Sequence, residues 1–84
     1  MGHFTIKAEK TAAFCPRLSQ HLISLAANLD NPSEDKYYYM DDDEYERDYF
    51  MKYNLFFNHI DRFFGENPDL DKQEIMKKII SLFE

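Results

Sequence analysis

Between Tyr45 and Phe64 apolar side chains recur three and four positions apart, in the run YERDYFMKYNLFFNHIDRFF. Setting successive residues 100° apart brings Tyr45, Phe63, Phe56, Tyr49, Ile60, Tyr53, Phe64, Phe57 and Phe50 onto one arc of about 140°. Glu46 is the one polar residue on that arc. The rest of the circumference takes Asn54, Arg47, Asn58, Met51, Arg62, Glu44, Leu55, Asp48, His59 and Lys52. Such a period is helical and does not fit the two-residue alternation of a half-buried strand. The pattern predicts a helix over 41–64. Asp41, Asp42 or Asp43 can cap its free N–H groups, and Gly65 is expected at the left-handed position just past its end. Asp43 with Arg47 and Asp48 with Lys52 form i,i+4 pairs in the favourable order, worth a few tenths of a kcal/mol each (about 0.2–0.5).

Two further helices follow from the same period. Leu18, Leu22, Leu25, Ala26 and Leu29 repeat at helical spacing behind Pro16, whose missing N–H suits a first turn, so 15–29 is expected to be helical, entered from a turn around Thr11 to Phe14. Asp71 and Glu74 make a capping pair, with Leu70 placed to staple onto Ile75. Ile75, Ile79, Leu82 and Phe83 then carry a stripe through 71–83, with Met76 and Ile80 on its flank. His3 to Ala8, HFTIKA, alternates weakly and holds β-branched residues, which reads as a short strand or an extended arm. Turns are expected at Asp30–Ser33 and Glu66–Asp69. The stretch 34–40, with Tyr37, Tyr38 and Tyr39 between charges, suits a loop or an edge segment.

These elements predict an all-α fold: a compact antiparallel bundle or orthogonal packing of about three helices around one long aromatic-rich central helix, with a short extended N-terminal arm. The central helix would be about 36 Å long at 1.5 Å per residue. Eighty-four residues make one domain, and a chain this short buries only about 60–65% of its unfolded surface. The fourteen Phe and Tyr rings compensate for that thin core, since a few large rings fill a small interior.

Charge is more informative here than overall composition. The net charge is −6. Residues 1–29 are net +2 and residues 50–84 net −1, whereas residues 30–49 carry nine acids against Lys36 and Arg47, a net −7. One twenty-residue segment therefore holds the whole imbalance. Direct nucleic-acid binding needs clustered Lys and Arg, and this chain clusters the opposite sign; Lys72, Lys77 and Lys78 read as one solvated helix side. The single cysteine excludes an intrachain disulfide and favours a reducing compartment. No apolar run approaches 18 residues and no signal-like segment opens the chain, so a cytoplasmic protein without membrane contact is expected.

Catalytic chemistry finds little footing. Both glycines are isolated, so there is no phosphate-cradling loop, and Cys15 before Pro16 reads as a buried structural thiol. His3, His21 and His59 are far apart, and the run Asp41, Asp42, Asp43, Glu44 lacks the spacing of a calcium loop. Neither an enzyme, a metal site nor a cofactor is expected.

What remains is the juxtaposition of acid and tyrosine. Carboxylates draw a basic surface from a distance and speed association, while tyrosines provide rigid contact area with a polar tip. Asp41, Asp42, Asp43, Glu44, Glu46 and Asp48 for charge, with Tyr38, Tyr39, Tyr45 and Tyr49 for contact, are the residues expected to bind a basic, nucleic-acid-binding protein as a nucleic-acid mimic. In size, charge and tyrosine content the chain resembles small acidic inhibitors, such as phage anti-defence and anti-CRISPR proteins and nuclease immunity proteins, which implies occlusion of the partner's basic surface. Two other readings compete. One is a homo-oligomeric assembly subunit that hides Tyr53, Phe57 or Phe50 in a dimer; the other is a small transcriptional regulator with a helix-turn-helix in 50–83, which would need a basic recognition helix.

Overall fold

The computed structural model describes residues 2–30 and 41–84. Among them are four α-helices and no strand: α1 over His3–Lys10, α2 over Pro16–Leu29, α3 over Asp42–Glu66 and α4 over Lys72–Leu82, with a short 3-10 turn at Thr11–Ala13. The all-α class therefore holds, and the long aromatic helix is α3. The expected turn after Asp30 and the ambiguous stretch 34–40 lie outside the described residues.

Residues 3–8 are not an extended arm. They form α1, and the reason lies outside the segment. Gly2 offers no side chain to cap the helix. The Asp30 carboxylate, arriving from the far end of α2, accepts the N–H groups of Phe4 at 2.9 Å and Thr5 at 2.6 Å. A carboxylate there also opposes the positive end of the α1 dipole. Phe4 and Ala8, one turn apart, then enter the core together. Burial and a borrowed cap outweigh the strand preference of Thr5 and Ile6.

α1 and α2 pack as an antiparallel pair, tied near their connecting turn by the Ser19 hydroxyl donating to the Ala8 carbonyl at 2.7 Å. α3 runs back along α2. His21 meets His59, and Arg17 bonds Asp69 at 3.3 Å and also reaches Asn67 beyond the end of α3. α4 reverses again, with Lys72 pairing to Asp61 at 3.4 Å and Phe83 closing on Phe4, Tyr53, Phe56 and Phe57. The core they enclose includes Leu18, Leu22, Ala26, Phe56, Ile60, Phe63, Phe64, Ile75 and Ile79, with the Cys15 thiol buried beside them.

Helix ends follow the expected chemistry on three counts and depart on one. Asp41 caps α3 by accepting from the Glu44 N–H at 2.7 Å, Asp71 caps α4 through Glu74 N–H at 3.2 Å, and Pro16 opens α2. Gly65, by contrast, is not a left-handed terminator. α3 continues to Glu66, and no described glycine has positive φ. Asn67 ends the helix instead, its side-chain amide donating to the Phe63 carbonyl at 2.9 Å.

Candidate functional site

α3 places the acidic residues, and its twist decides which of them face outward. Its buried positions include Asp48, Lys52, Phe56 and Ile60, each one i,i+4 step beyond the last, so the covered stripe winds slowly around the helix. Asp48 is therefore not an outward-facing acid. It is 7% exposed, and its carboxylate lies 2.8 Å from the Lys52 ammonium, itself turned inward from the expected polar side. A pair this buried holds its charges for the fold and removes Asp48 from any contact surface.

The same winding brings Phe50 out. Expected on the interior arc, it is 55% exposed, as is Tyr45 at 54%. Phe50 sits in a shallow depression of about 380 Å³ lined by Asp43, Glu46 and Arg47. Asp42, Asp43 and Glu44 occupy the first turn, where they favour the helix dipole, and all are exposed together with Glu46. Among the described residues no ion pair engages Asp42, Asp43, Glu44 or Glu46, and Asp43 does not close on Arg47. Asp41 is exposed but spends one oxygen on its cap.

Tyr49 departs from the expected contact set as well. It packs against the core, touches Phe4 and Tyr53, and its hydroxyl hydrogen-bonds His3 Nε2 at 3.1 Å. Burial, reinforced by the neighbouring Tyr53 and Tyr45 hydroxyls, pushes its pKa above the ordinary tyrosine value. Tyr38 and Tyr39 lie outside the described residues. Tyr53 and Phe57, offered for an oligomer interface, are partly covered by Phe83, which leaves Phe50 as the exposed member of that trio.

A larger hollow, about 490 Å³, opens between the start of α1, the end of α2 and α3, with His3, Asp30, Tyr45, Asp48 and Lys52 among its walls. Its two carboxylates are already committed, Asp30 to the α1 cap and Asp48 to Lys52. Among the described residues no three His, Cys, Asp or Glu side chains gather as a metal-ligand set. No described helix is long and apolar enough to cross a membrane.

One pairing escapes any reading of the sequence alone. His21 of α2 and His59 of α3 stack with ring centroids 4.5 Å apart and planes 16° from parallel. Burial, with the nearby His21 and Arg62 charges, holds the His59 pKa below its ordinary value, while the His21 backbone and Glu66 pull the other way. Comparison with known protein families, curated proteins and solved structures yields no match to this chain. The geometry alone thus carries the functional argument: an outward acidic edge at the start of α3 with one unburied phenyl ring in its midst.

Proposed function

We propose that this protein is a non-enzymatic, cytoplasmic binding module that occludes the basic surface of a nucleic-acid-handling protein, as phage anti-defence, anti-CRISPR or nuclease-immunity proteins do. The observation that carries the reading is Phe50, exposed between Asp43 and Glu46 on the most acidic segment of the chain. Acids at 42, 43, 44 and 46 supply the field that steers a positive surface, and their attraction weakens as salt screens it. Phe50 and Tyr45 supply the desolvated ring contacts on which binding energy concentrates. A Lys- and Arg-rich surface with a small apolar recess is the complement of that edge. Asp48 and Tyr49 belong behind it, where they set the pose of α3.

The test is affinity capture from the cells that make the protein, using the wild-type chain and an Asp42→Lys/Asp43→Lys/Glu46→Lys chain of equal helical circular dichroism. The wild-type chain should retain a basic nucleic-acid-binding protein that elutes with salt, and the reversed chain should not. Equal retention by both chains contradicts the proposal.

A further inference from the structure

A second pattern occupies a different side of α3. Met51 and Leu55 are 56% and 48% exposed, and neither belongs to the core. Leu55 borders a hollow of about 220 Å³ between α2 and α3, lined also by Leu25, Asn58, His59 and Arg62. At 100° per residue, Glu44, Met51, Leu55 and Arg62 fall within about 40° of one another. Spaced seven, four and seven apart, the four keep to one line of the helix in front of the buried Asp48, the side on which a second helix can pack.

We infer that this stripe is the interface of a homodimer in which two α3 helices pack antiparallel. Charge selects the occupant and its direction. The stripe begins with an exposed acid, Glu44, and ends with an exposed base, Arg62, and no ion pair among the described residues engages either. The midpoint of 44 and 62 is residue 53, which is also the midpoint of 51 and 55. An antiparallel pair centred on that level therefore sets Glu44 against Arg62 of the second copy, and Met51 against Leu55, each pairing occurring twice as two-fold symmetry requires. A parallel pair would oppose Glu44 to Glu44 and Arg62 to Arg62. Met51 of the second copy meets the apolar end of that hollow, at Leu25 and Leu55. Arg47 comes opposite His59, whose pKa is held below the ordinary imidazole value by burial and by His21. Asp43, Glu46 and Phe50 lie more than about 100° around the helix. The dimer leaves them uncovered and engages only Glu44 of the acidic edge, so it can fail while the proposed partner still binds, and the reverse.

Sedimentation velocity on three proteins tests the pairing: wild type, Glu44→Arg and Arg62→Glu. The wild-type chain should approach twice its 10.1 kDa mass as concentration rises. Each variant places like charges at both ends of the seam and should self-associate at least about tenfold more weakly. An equimolar mixture restores Arg–Glu contacts at both ends, so it should pair about as well as wild type; that rescue also shows both variants to be folded. A wild-type chain that stays monomeric throughout overturns the inference, as does a dimer that both variants retain. A mixture that remains monomeric while both variants keep the wild-type helical signal overturns it too. Should either variant lose that signal, Leu55→Gln at the half-exposed centre takes its place, and an undiminished dimer is then the contradicting result.

Discussion

The carboxylate of Asp30 accepts the backbone N–H of Phe4 at 2.9 Å, although the two residues stand twenty-six positions apart. Its second oxygen takes the Thr5 N–H at 2.6 Å. The end of α2 thereby supplies the cap that the start of α1 lacks, and the α1–α2 pair closes into a unit. Gly2 is part of the same device, since a Cβ added there would collide with the Asp30 side chain.

Asp30→Ala should therefore destabilise the protein by about 1–2 kcal/mol, the range of a lost helix cap. The loss should be local as well as global. Amide exchange measured by NMR should quicken first at Phe4 and Thr5, with α4 little affected. Gly2→Ala should show the same pattern through displacement of Asp30.

The buried pair of Asp48 and Lys52 makes a different prediction. Lys52→Met takes the ammonium away from a buried carboxylate, so it should cost on the order of 3 kcal/mol in denaturant unfolding. Asp48→Leu/Lys52→Met removes both charges and should recover most of that loss. A double variant less stable than Lys52→Met would show the pair to be worth more than its desolvation.

His59 contributes to the acid limb of stability. Its folded pKa is lowered from 6.5, chiefly by burial and then by His21. The unfolded chain therefore binds the proton more readily. The contribution is fully present above about pH 6.5 and is lost as pH falls through the lowered folded value. Urea midpoints measured across that range should decline with acidification, and His59→Gln should flatten the decline. An unchanged slope in that variant would assign the acid sensitivity elsewhere.

Much of this architecture is legible in the sequence because it is local. The caps at Asp41 and Asp71, Pro16 at the head of α2 and the leucine period behind it depend on neighbours within one turn, and each appears as expected. What the sequence hides depends on contacts across the fold. α1 owes its start to a residue at the end of α2. Asp48 and Lys52 are drawn inward, and Phe50 is turned outward, because the covered stripe winds with the i,i+4 row while a straight helical wheel averages it into one fixed face. His21 and His59, thirty-eight residues apart, meet only because α2 and α3 run antiparallel. The acids at 42, 43, 44 and 46 needed only their position in the first turns of α3 to be exposed.

Phe50 is where the functional claim is most exposed to test. Its ring is more than half in solvent, so Phe50→Ala should change folding stability by less than about 0.5 kcal/mol. As the contact anchor of the acidic edge, the same change should weaken partner binding by about 2 kcal/mol, roughly thirtyfold. The direct measurement is competition on the captured basic protein, following a fluorescent nucleic acid that it binds. Wild-type chain should displace the nucleic acid at stoichiometric concentrations, and Phe50→Ala should require about thirty times more. Simultaneous binding of nucleic acid and protein to that partner, with no displacement at saturation, would contradict occlusion outright.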